Sequence, residues 1–188
     1  VFFTVFGMSP YLLGGYIPTI TDAFFEAMSG FTTTGATILD NIENMPHGIL
    51  FWRSLTQWIG GLGIICFTIV LLPGFGVSSQ MLYLSEATGV THNKICPKTR
   101  VMARYIFVVY ILLTAIETVL LKIGGMSLYD AICHSMTTTA TGGFSTKQES
   151  IAYWHSSYIE YVVSGVMLLS AINFSLYIVA CKGGWKQI

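Results

Sequence analysis

Two short runs of threonine and glycine are the residues in this sequence best suited to chemistry. The first is Thr32-Thr33-Thr34-Gly35; the second is Thr137-Thr138-Thr139-Ala140-Thr141-Gly142-Gly143. Extended backbone rich in these types can turn successive carbonyls toward one axis, where they replace the water a cation loses on leaving solution. Glycine helps because it adopts backbone angles closed to other residues and lets strands approach closely. On this reading the coordinating carbonyls belong to Thr33, Thr34 and Gly35 and to Thr141, Gly142 and Gly143, with threonine hydroxyls adding oxygens at the inner mouth.

The elements that must position these runs form a repeat. At an offset of 108 residues, Thr19 matches Ser127, Asp22 matches Asp130, Ala23 matches Ala131, Met28 matches Met136, Thr33 matches Thr141 and Gly35 matches Gly143; Thr37 matches Ser145 by its hydroxyl. Thr19 and Ser127 are expected N-caps, with the acid three residues later completing a capping-box-like start. A short apolar helix follows and stops at the threonines and glycines. A helix of roughly 10 residues covers only about half of the hydrocarbon core. It must therefore enter and return, which is tolerated only inside protein or beside a wet cavity. Its negative C-terminal end then favours a cation at the centre.

Composition agrees with a membrane setting. Of 188 residues, 53% are hydrophobic, 14% aromatic and only 10% charged, against about a quarter charged in soluble domains. Mean hydropathy is +0.66. Ser54–Leu72, Tyr105–Leu121 and Tyr161–Cys181 read as spans, and Val1 to about Leu13 as the end of another. Lys94, Lys98, Arg100 and Arg104, with Lys182 and Lys186, mark the cytoplasmic side. The loops carrying Asp22, Glu26, Asp40, Glu43, Asp130 and Glu149 then face outward. The expected fold is all-α and integral to the membrane, built from helix–pore-loop–helix units like those of potassium channels. Residues 1–72 form the first unit, 73–98 a cytoplasmic linker and 99–188 the second. The chain starts at Val1 inside an apolar stretch and reads as an internal piece of a longer protein.

Other residues give weaker signals. Arg53 opens its helix on the outer side and is expected to brace a loop through Asp22, Glu26 or a loop carbonyl. Glu117 is a charge inside a span, where function is the default expectation and a buried structural partner the alternative. Asp130 is a further candidate support. Lys122 lies near an outer end and is expected to snorkel. Asn173 suits an interhelical hydrogen bond. Gly60, Gly61 and Gly63 lack the strand that precedes a dinucleotide motif and read as close helix packing. Cys66, Cys96, Cys133 and Cys181 form no C-x-x-C pair, and His47, His92, His134 and His155 have no metal-ligand spacing, so no disulfide, cysteine metal site or cofactor is expected. Zero net charge gives no support to nucleic-acid binding.

The stretches Asp22–Thr37, Trp52–Ile64, Gly124–Thr146 and Ser170–Tyr177, with Ser85–Arg100, resemble the Trk/Ktr/HKT superfamily of potassium transporters, and within it the TrkH-type membrane subunits. That resemblance implies four such repeats around one pore, with a glycine in each filter segment, of which two are present here. Gly35 and Gly143 take the filter-glycine positions. It implies potassium as the transported ion, a homodimer, a cytoplasmic nucleotide-binding regulatory subunit, and a bacterial or archaeal cell membrane. Two other classes compete. A secondary transporter could use broken half-helices to bind an anionic solute, but that uses helix N-termini, whereas C-termini face the site here. An enzyme is not expected: H-E-x-x-H, G-x-S-x-G and paired intramembrane carboxylates are all missing. The residues by themselves leave potassium and sodium both open.

Overall fold

A computed structural model describes residues 2–71 and 99–172; side chains are described for 2–63 and 104–172. All regular structure among the described residues is helical. The order is α1 (Phe2–Gly7), α2 (Ser9–Leu13), α3 (Ile20–Phe31), a 3-10 turn (Ile42–Asn44), α4 (His47–Leu71), α5 (Thr99–Ile123), α6 (Leu128–Thr139), a second 3-10 turn (Ser150–Trp154) and α7 (Ser157–Ala171).

The short helices begin where the caps dictate. Thr19 is extended and its hydroxyl accepts from the Asp22 N–H at 3.2 Å. Ser127 does the same for Asp130 at 3.0 Å, and also donates to the Asp130 carboxylate at 2.6 Å. Each helix is 12 residues long, about 18 Å at 1.5 Å per residue, too short to cross a hydrocarbon core of about 30 Å. Arg104–Ile123, with mean hydropathy 2.2, is long and apolar enough to cross it by length and composition. Along that helix Val108, Leu112, Ile116, Val119 and Ile123 are exposed. Such a face suits lipid contact.

Each half has its own core. Tyr11, Ile17, Ala23, Ala27 and Ile49 pack α2, α3 and the start of α4 together. Leu121, Met126, Ala131, Ile159 and Val163 do so for α5, α6 and α7. The halves meet where α4 runs beside α6. Gly61 permits this approach, since a β-carbon there would come within 3.2 Å of Ala140 Cα; Gly60 permits that of α4 on α3, where a β-carbon would strike the Phe31 backbone. The packing expectation therefore holds for these two glycines, while among the described residues nothing lies within 4 Å of a β-carbon at Gly63.

Several boundaries differ from the sequence reading. The first apolar stretch is two helices broken at Met8, not one, where Pro10 enters the first turn of α2. The last one begins at Ser157, ahead of Tyr161, just after His155 takes a left-handed conformation (φ 45°) and stops the 3-10 turn. Trp52 lies within α4 and donates to Gly7 O, whereas Trp154 precedes α7 and packs on His134. The linker 73–98, Asn173, Cys96 and Cys181 lie outside the described residues, and so does the Cys66 side chain. Cys133 is buried with a free thiol.

Candidate cation pathway between two threonine–glycine loops

Both short helices end in the same backbone motif. Thr33 N–H donates to Gly30 O and Thr34 N–H to Ser29 O, each at 3.0 Å. At the same offset of the repeat, Thr141 N–H donates to Thr138 O and Gly142 N–H to Thr137 O, each at 2.8 Å. This is the Schellman arrangement, which needs a left-handed residue just past the helix. Here that residue is threonine: φ is 55° at Thr33 and 54° at Thr141. A β-branched residue in this region carries strain on the order of 1–3 kcal/mol, and such strain gathers at functional sites. Two residues later Gly35 and Gly143 also have positive φ, 76° and 87°.

The loops converge. A β-carbon on Gly35 would fall on the Gly142 carbonyl oxygen and lie 3.7 Å from Gly143 Cα. The two runs therefore face one another across a gap narrower than a side chain, with the C-terminal ends of α3 and α6 leading into it.

Behind the first loop lies a buried ion pair. Glu26 on α3 accepts from Arg53 Nε on α4 at 2.8 Å; the two side chains are 0% and 1% exposed. The Glu26 carboxylate also accepts from the Thr37 hydroxyl at 2.9 Å and from Ile38 N–H at 3.2 Å. Arg53 donates through Nη2 to Thr37 Oγ1 at 3.2 Å and through Nη1 to Ser145 O, in the other loop, at 3.3 Å. Its guanidinium carbon lies 4.3 Å from the centre of the Phe144 ring. Every part of the pair is thus desolvated and hydrogen-bonded, the condition under which a buried ion pair persists.

Behind the second loop a histidine, His134, stands where the first has Glu26. His134 Nδ1 is 2.9 Å from Asp130 O, so that nitrogen carries the hydrogen, and Nε2 is 3.0 Å from Ser145 Oγ, from which it accepts. Ser145 Oγ in turn accepts from Lys147 N–H at 2.9 Å. Asp130 accepts from the Thr146 hydroxyl at 2.6 Å.

The candidate residues divide into groups. Of the six loop residues, Gly35 is brought against Gly142 and Gly143; Thr33, Thr34 and Thr141 stand beside them in their own loops. Arg53 reaches Glu26 and a loop carbonyl; Asp22 is not its partner but stands at the capped start of α3. Asp130 grips its own loop as well as its cap. Glu117 is fully buried, against Thr138 and Thr139 of α6. Lys122 donates to Met126 O at 3.4 Å. The sequence reading missed His134 and Gln57 as loop supports. The signal available for His134 was its position, since it occupies the repeat place of Glu26 just as Ser145 occupies that of Thr37.

A family profile described as TrkH, cation transport protein, matches residues 3–183. The chain belongs to the TrkH family of cation transport proteins. It is 42% identical over 180 residues to the Trk system potassium uptake protein TrkH of Escherichia coli K12, covering 95% of this chain and 36% of that one. To TrkG of the same organism it is 41% identical over 172 residues, covering 90% and 36%. The crystal structure of the potassium transporter TrkH from Vibrio parahaemolyticus superposes with a TM-score of 0.81 at 35% identity, covering 97% of this chain and 36% of that one. TrkH family membership and this superposition make the chain an all-helical membrane protein with pore-loop repeats. It spans little more than a third of the length of these relatives.

Proposed function

We propose that this chain supplies two of the loops that line the ion pathway of a potassium-uptake protein. The Thr33–Gly35 and Thr141–Gly143 carbonyls would take the place of water around a potassium ion. The convergence of Gly35 with Gly142 carries this reading, because only facing loops can share one dehydrated ion. Units 1–72 and 99–188 are then two pore repeats, each with one loop, and further repeats complete the ring. The names of the relatives favour potassium over sodium and transport over catalysis. A homodimer and a cytoplasmic nucleotide-binding subunit complete the proposed assembly, on family resemblance.

Rubidium uptake by the full-length protein in proteoliposomes tests this, with potassium or sodium as competitor. Gly35→Ser and Gly143→Ser should lose discrimination between the two competitors. Uptake that discriminates equally well in both variants would contradict the assignment.

A further inference from the structure

Gln57 stands one helical turn beyond Arg53 on α4, so both project from one face. They grip consecutive residues of the second loop. Gln57 Oε1 accepts from Phe144 N–H at 3.1 Å, and Arg53 donates to Ser145 O at 3.3 Å. Gln57 is 0% exposed, and a backbone N–H as partner identifies the contacting atom as the oxygen. The same amide also bears on Gly142. A β-carbon there would fall on the Gln57 side chain and must displace its amide, whereas the matching residue of the first loop is Thr34.

The Phe144 N–H shares a peptide plane with the Gly143 carbonyl. In a trans peptide the two point in opposite directions. Tying the N–H back to α4 therefore turns the Gly143 carbonyl away from α4. Two residues on from Gly143, Arg53 turns the Ser145 carbonyl the other way, toward α4. Among the described residues the Ala36 N–H, which matches that of Phe144, has no such side-chain partner from a neighbouring unit.

We infer that Gln57 is a positioning residue for ion selectivity: its amide, supplied by the first unit, sets the direction of the Gly143 carbonyl in the second. This rests on the proposed pathway and adds a cross-unit determinant to it. The test uses the full-length protein in proteoliposomes, with discrimination between potassium and sodium scored separately from the rate of rubidium uptake. Gln57→Leu removes the acceptor at similar volume and should lower discrimination about tenfold, the scale of one buried hydrogen bond left unmade, while uptake persists. Gln57→Glu keeps an acceptor and should retain more discrimination than Gln57→Leu. Should Gln57→Leu fail to fold, Gly142→Ala displaces the amide from the other side and should lower discrimination by a similar factor. Combined with Gln57→Ala, it should be no worse than the stronger single variant, since both act on one contact.

Unchanged discrimination in Gln57→Leu, equal loss in Gln57→Glu, or multiplying losses in the double variant would overturn the inference. Gly35→Ser, on the first loop, separates the two levels. If it loses discrimination while the Gln57 and Gly142 variants keep theirs, the pathway stands and the role of Gln57 falls. If it too keeps discrimination, both fall.

Discussion

The two loops share a backbone and differ in what stands behind it. Both leave a 12-residue helix through the same pair of hydrogen bonds, and both place threonine and then glycine at positive φ. Behind the first, the hydroxyl of Thr37 is held by Glu26; behind the second, the hydroxyl of Ser145 is held by His134. The acid requires a counter-charge, and Arg53 supplies it. The imidazole is satisfied as a neutral group. The difference teaches that loop shape is set by main-chain capping, and that the support can change chemistry as long as no buried charge is left alone. It also has a structural consequence. The counter-charge of the first loop reaches Ser145 O, so the charged brace connects the two loops, while the neutral one stays within its own unit.

The strongest way to break this comparison is to remove the acid. Glu26→Ala strands a buried guanidinium and should cost about 3–5 kcal/mol. Thermal unfolding of the purified full-length protein should show a large drop in midpoint, and a loss no bigger than that of His134→Ala would erase the distinction. Replacing both partners, as in Glu26→Leu/Arg53→Met, should be less damaging than Glu26→Ala, because no lone charge remains. A double variant worse than Glu26→Ala would show that the hydrogen bonds, not the charge balance, hold the loop. His134→Ala leaves the Ser145 hydroxyl without its acceptor and should cost about 1–3 kcal/mol in the same unfolding measurement. The smallest effect is expected from relieving strain. Thr33→Gly and Thr141→Gly should each raise stability by up to about 1 kcal/mol, since glycine accepts positive φ. A lowered midpoint in both would mean that the side chains stabilise the turn.

Much of this was legible in the sequence where the determinants are local. Thr19 with Asp22, and Ser127 with Asp130, announce capped helices three residues apart, and the register of Gly35 with Gly143 follows from the repeat. Choosing between Asp22 and Glu26 for Arg53 was beyond reach, because the two acids lie four residues apart on one helix face. His134 was hidden because its partner Ser145 returns to it only through a turn at Thr141, and a β-branched residue is a poor signal for positive φ. Gln57 was hidden more deeply: Phe144 is 87 positions away in the chain, and only the packing of α4 on α6 brings them together.

The central claim is that the loops face a common ion. Crystals of the full-length protein grown with rubidium or thallium in place of potassium would report on it directly through anomalous scattering. The account predicts a peak within coordinating reach of carbonyls from both the Thr33–Gly35 and the Thr141–Gly143 stretches. A fully occupied ion bound elsewhere, or touching one loop and not the other, would contradict it.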